Sequence, residues 1–160
     1  MGSVKFIAVG NPLYGDDGIG KAILDLLQKS EEFKESEFYD AQTDALSIID
    51  ELLPDGLNII VDAAKMNLAA GTVAAFGADE VRLKIKWDHL SLHGFGLAET
   101  FNMAKAIQRL PGHVRIVGIE PEIVEINREL SETVKKAIPH ALELITNEVR
   151  TYESEYNTRN

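Results

Sequence analysis

The chain is 160 residues long with 45% hydrophobic and 26% charged residues, a composition of one ordinary globular domain with neither low-complexity nor fibrous character. Lys and Arg total 16 against 26 Asp and Glu, and the net charge of −10 disfavours nucleic acid and anionic membrane surfaces as partners. The absence of cysteine excludes disulfides, thiolate nucleophiles and cysteine-ligated metals, so any metal has to be held by His and carboxylates.

Val4 to Val9 is a short apolar run stopped by Gly10-Asn11-Pro12, as a central strand buried on both faces would be. It lacks the length and cleavage site of a signal peptide, and Phe6 stands where a myristoylation motif needs Ser or Thr, so a cytoplasmic protein is expected. Ile19, Ala22, Ile23, Leu26 and Leu27 then form a helical stripe, with Asp16 and Asp17 placed to cap its start. Glu37 to Tyr39 reads as a second strand and Ala45 to Leu53 as a second helix stopped before Pro54. Leu57 to Val61 reads as a third strand ending at Asp62. Gly71 to Phe76 is a fourth strand, expected to be antiparallel because the segment after Asp62 is too short for a parallel crossover. Leu97, Phe101, Ala104 and Ile107 mark another helix, closed by Pro111-Gly112, and Val114 to Ile119 supplies the last strand. Val134, Ala137, Ala141, Ile145 and Val149 define a long terminal helix with Ser131 as N-cap and a kink at Pro139. Residues 153–160 are polar and expected to fray, and the chain as a whole, 1–160, reads as one domain.

In such sheets ligands sit outside the carboxyl ends of the strands. There the sequence delivers Asp16 and Asp17, Asp40, Asp62, the segment Ser91-Leu92-His93-Gly94, and Glu120-Pro121. Carboxylates at several strand ends with one imidazole form a hard, oxygen-rich site suited to a divalent first-row metal. Each residue also has a plainer use: either Asp of the pair can cap a helix, Asp62 can bond turn amides, and His93 can be an ordinary loop histidine. His89, His113 and His140 lack comparable surroundings. The loop from Gly10 to Gly15 has neither the P-loop ending nor the dinucleotide-binding spacing.

Gly10-Asn11-Pro12-Leu13-Tyr14-Gly15-Asp16-Asp17-Gly18-Ile19-Gly20 resembles the opening signature of the hydrogenase maturation endopeptidases, which trim the C-terminus of nickel–iron hydrogenase large subunits. Val61-Asp62-Ala63, Ser91-Leu92-His93, Gly118-Ile119-Glu120-Pro121, and Leu130-Ser131 through Val134, Ala137 and Pro139 resemble that family's later motifs in the same order. The resemblance implies a three-layer α/β/α sandwich, phosphorylase/hydrolase-like, with a five-stranded, mostly parallel sheet in order 2-1-3-5-4 and strand four antiparallel. It implies an aspartic-type, metal-guided peptidase whose metal and catalytic residues are Asp17, Asp62 and His93. Asp16 is then a neighbour and cap, and Asp40 a secondary cleft residue, although Ala41-Gln42 stand where many members carry glycines. The implied partner is a nickel-loaded large-subunit precursor; the nickel comes with that substrate, another divalent metal could replace it in vitro, and none is held tightly at rest. A competing reading is a receiver-like module or a docking accessory without catalysis. A receiver, however, needs a lysine where this chain has Glu120-Pro121, and it would leave His93 unused.

Overall fold

The computed structural model describes residues 2–86 and 96–159. Five strands, β1 (Val4–Ala8), β2 (Glu37–Asp40), β3 (Leu57–Ala63), β4 (Val73–Gly77) and β5 (Val114–Ile119), form one sheet in the order β2-β1-β3-β5-β4. All neighbours run parallel except β4, which pairs antiparallel with β5 from Val73 opposite Ile119 to Gly77 opposite Arg115. The expected order and the expected antiparallel strand are both present. A parallel crossover needs a dozen or more residues, and the stretch between β3 and β4 is shorter than that, so β4 runs antiparallel.

Alternation along the central strands feeds two cores. Phe6 and Ala8 of β1, with Ile59 and Val61 of β3, face α1 (Ile19–Gln28) and α5 (Glu132–Arg159), where Ile23, Leu27, Ala141 and Ile145 cover them. Ile7, Val9 and Ile60 face the other way, onto Ile48 of α2 (Ile48–Glu51), Val81 of α3 (Val81–Lys84), and Leu97 and Phe101 of α4 (Leu97–Ala106). Both faces of β1 and β3 are therefore largely buried, which is why these strands read as mostly apolar runs despite Lys5, Asn58 and Asp62. Each fully buried Ile contributes about 1.5–3 kcal/mol, so burial of this sheet is the main stabilising term.

Three expectations need correction. The second helix does not run from Ala45 to Leu53: a 3-10 turn over Ala45–Ser47, capped by Asp44, leads into α2, which ends at Glu51. It stops early because the buried Asn58 side chain takes both backbone groups of Leu53, accepting from its N–H at 2.8 Å and donating to its C=O at 3.1 Å. Residues 153–159 do not fray but continue α5, which has no glycine after its start and a single proline, Pro139, inside it. Ser131 does serve as an N-cap of α5, its Oγ accepting from the Val134 N–H at 3.3 Å. Finally, neither Asp16 nor Asp17 caps α1; both lie in a 3-10 turn, Gly15–Gly18, that precedes it, and no side chain caps either element.

Candidate active site at the carboxyl edge of the sheet

The loop after β1 is shaped by glycine and asparagine. Gly10 has φ +135, and a Cβ there would lie 2.0 Å from the Asp17 carbonyl oxygen, so only glycine lets the loop fold back so closely. Asn11 then organises the return: its side chain accepts from the Leu13 N–H at 3.0 Å, its carbonyl from the Tyr14 N–H at 3.0 Å, and its own N–H donates to Asp17 Oδ2 at 2.8 Å. The Asp17 carboxyl carbon thus lies just above Gly10, at the end of β1. Asp17 is 6% exposed, in the turn leading into α1, where the positive end of the helix dipole favours an anion.

Asp62 follows Val61 on the adjacent strand and is 8% exposed. The Val9 N–H donates to the Val61 carbonyl at 3.0 Å, tying the two strand ends together. A Cβ on Gly20 would lie 2.6 Å from that carbonyl and 2.7 Å from that of Val9, so α1 rests directly on both ends. Asp17 sits one helical turn before this contact and Asp62 one residue after it, which brings the two carboxylate-bearing residues to the same edge.

The other acidic residues are used differently. Asp16 is fully buried and collects four hydrogen bonds from the segment after β5: Oδ2 accepts from the N–H groups of Glu122 and Ile123, each at 2.9 Å, and from Ser131 Oγ at 2.8 Å, while Oδ1 accepts from the Ser131 N–H at 2.7 Å. This replaces the capping role expected of it. Glu120 anchors the loop after β3, accepting from the N–H groups of Met66 at 2.7 Å and Leu68 at 3.1 Å. It is a backbone acceptor where a phosphate-accepting receiver would need a cation.

Asp40 pairs with Ala8 and accepts from the Gln42 N–H at 3.0 Å, shaping its own turn, in which Gln42 takes φ 55. Strand alternation puts Asp40 on the face of Phe38 and Asp62 on the face of Ile60, with β1 between them, so the sheet does not gather Asp40 with Asp62. His93, with Ser91 and His89, lies outside the described residues. Among the described residues no group of three His, Asp or Glu side chains stands close enough to hold a metal ion. The two carboxylates that do share an edge are hard oxygen donors, compatible with a divalent ion whose remaining ligands come from elsewhere. Sequence reasoning missed Ser131 as a partner of Asp16 and Asn11 as the organiser of Asp17, since no local pattern announces either bond.

The structure is a three-layer α/β/α sandwich that places Asp17 and Asp62 at the carboxyl edge of β1 and β3, where open α/β sheets bind ligands. The model of the hydrogenase maturation protease family matches residues 22–148, and the chain belongs to that family. The matched span contains Asp40, Asp62 and His93, while Asp16 and Asp17 precede it. The chain is 32% identical to the protein FrxA of Pyrococcus furiosus over 87% of its own length and 99% of that protein's. It is 25% identical to the hydrogenase expression/formation protein HupD of Thiocapsa roseopersicina over 88% of its length, spanning 65% of that longer relative. The hydrogenase maturating endopeptidase HybD of E. coli has a similar fold, with a TM-score of 0.80 at 26% identity, covering 94% of this chain and 93% of that one. No helix among the described residues is long and apolar enough to cross a membrane.

Proposed function

We propose that this chain is an endopeptidase that removes the C-terminal extension of a nickel–iron hydrogenase large-subunit precursor, recognising that substrate through the nickel it already carries. The observation that carries the reading is the family match across residues 22–148. In this reading Asp17, Asp62 and His93 complete the coordination of the substrate's ion and so fix the peptide bond beside it. Asp17 suits the ligand role better than Asp16, whose oxygens already accept four bonds from the segment after β5. Asp40, bonded within its own turn, stays outside the set.

Hydrolysis adds water to the scissile carbonyl, breaks the C–N bond and delivers a proton to the leaving amine. The substrate's ion supplies Lewis acidity, polarising the carbonyl or acidifying the water. The chain's part is to hold that ion against rigid strand ends and to offer a carboxylate that takes the water's proton and returns it to the amine. With no cysteine in the chain and no HExxH helix, carboxylate chemistry is the remaining protein contribution that the residues support. The need for a shared ion also accounts for selectivity: a peptide without nickel brings only part of the site.

The test is intact-mass analysis of nickel-loaded and nickel-free large-subunit precursor after incubation with the protein. Loss of one defined C-terminal peptide from the loaded form alone is the expected result. Cleavage of both forms would overturn nickel recognition, and an unchanged loaded precursor would favour a docking role without catalysis.

A further inference from the structure

The segment between β5 and α5 takes no part in the ligand set, yet it is laced to the loop that carries Asp17. Besides the four bonds to the Asp16 carboxylate, the Gly15 N–H donates to the Arg128 carbonyl at 3.0 Å and the Asp16 N–H to the Ile123 carbonyl at 2.7 Å. The Asn127 N–H donates to the Leu13 carbonyl at 2.7 Å, and Tyr14 and Arg128 form an isolated parallel bridge. Because β1 and β5 flank β3, this lacing passes beside the end of the strand that carries Asp62. The Asp16 side chain draws both ends of the segment inward, gripping Glu122 and Ile123 at its start and Ser131 at its finish.

We infer that Asp16 and Ser131 form a latch that positions Asp17, so that Ser131, far away in sequence, is a positioning residue for the reaction proposed above, on which this inference rests. Asp16 and Asp17 are consecutive in one 3-10 turn, so the backbone that orients one orients the other. The turn has no side-chain cap of its own, and the Asn11 N–H donates to Asp17 Oδ2 at 2.8 Å. A fully buried carboxylate with four donors is held far more rigidly than such a turn alone, since leaving those donors unmet in the interior is costly. Loosening the latch therefore frees the turn and shifts the Asp17 carboxylate away from Asn11, without touching substrate.

The experiment compares Ser131→Ala, which removes one of the four bonds and the cap of α5, with Ser131→Thr, which keeps the hydroxyl. Arg115→Ala serves as a control, because the Arg115–Glu148 ion pair joins β5 to α5 outside the acidic edge. Two readouts are taken well below the melting temperature of every variant: hydrogen exchange of the Asn11 amide in the free protein, and kcat and KM for precursor cleavage. Ser131→Ala is expected to speed Asn11 exchange by about tenfold and to lower kcat by about tenfold with KM nearly unchanged. Ser131→Thr restores both, and Arg115→Ala moves neither. Unchanged Asn11 exchange in folded Ser131→Ala, or an equal change in Arg115→Ala, overturns the latch. The exchange readout needs no substrate, so it tests the latch even if the wild-type chain cleaves nothing, an outcome that would instead sink the proposed function.

Discussion

Asp16→Asn isolates what a buried carboxylate contributes when every donor is supplied by backbone and hydroxyl groups. The carboxamide can turn its oxygen toward the Oδ2 position and keep the bonds from Glu122, Ile123 and Ser131 Oγ, but its NH2 group then meets the Ser131 N–H, which now stands 2.7 Å from Oδ1. Turned the other way, the NH2 group faces two backbone donors. Three retained bonds each weaken from the charged to the neutral range, by about 1 kcal/mol apiece, and the fourth becomes a donor facing a donor at an additional cost of about 1–3 kcal/mol. Since these losses are not additive, the expected destabilisation is about 3–5 kcal/mol, a large share of the roughly 5–15 kcal/mol typical of a domain. At a urea m-value of about 2 kcal/mol per M, the unfolding midpoint falls by about 2 M. Equilibrium urea unfolding followed by far-UV circular dichroism reads this directly. A loss below about 1 kcal/mol with an unchanged m-value would refute the reasoning, since that is the effect of an ordinary exposed helix cap.

If Asp17 and Asp62 are ligands as proposed, Asp17→Asn and Asp62→Asn are each expected to lower precursor cleavage by at least about a hundredfold while the circular dichroism spectrum stays that of the wild type, since each would remove an ionised oxygen from the proposed ligand set. Gly10→Ala should cost at least about 2 kcal/mol in thermal unfolding, because φ +135 is closed to alanine and the new Cβ meets the Asp17 carbonyl at 2.0 Å. Gly112→Ala, where nothing lies within 4 Å of the added Cβ, should stay within about 0.5 kcal/mol. Burial raises the pKa of the Tyr152 phenol above the ordinary tyrosine value, with Tyr156 and Asp55 adding to it. The fold therefore favours the protonated form: this contribution is intact below about pH 10, where the unfolded chain's tyrosine titrates, and is lost as pH rises through the folded value. Melting temperatures should thus fall more steeply above that pH in the wild type than in Tyr152→Phe.

What the sequence reveals depends on how far apart the interacting groups lie along it. β1, β3 and β5 are legible because burial on both faces writes them as mostly apolar runs, interrupted only by single polar residues such as Lys5, Asn58 and Arg115, and the direction of β4 follows from the length of one connection. The position of the carboxylates at the strand ends is legible because each follows a strand-like run, and open sheets bind ligands at that edge. Their individual uses are not. Asp16 finds its donors 106 to 115 residues downstream, and Glu120 finds its own more than 50 residues upstream, so the helix-capping reading of the Asp pair is the best that local pattern can offer. The early end of α2 is hidden for the same reason, since it is Asn58 of the next strand that takes Leu53 out of the helix. The final turns of α5 look frayed because polarity resembles a tail; they contain neither glycine nor proline and continue an established helix, so no new nucleation is needed.

The adjacent pair shows why two carboxylates need not share one task. Both are less than a tenth exposed, and a buried carboxylate is tolerable only when its lone pairs are met. Asp16 meets that demand entirely within the chain, and in doing so fastens the segment after β5 to the loop after β1, on either side of β3. That arrangement leaves Asp17 and Asp62 at the carboxyl ends of neighbouring strands, on a backbone that cannot shift without breaking buried hydrogen bonds. Under the proposed function, in which the ion arrives on the substrate, such a frame means that the ordering of these groups is completed during folding and need not be repeated on binding. Asp16 is in this sense committed to the fold, and the proposed function gives its neighbour Asp17 the other task.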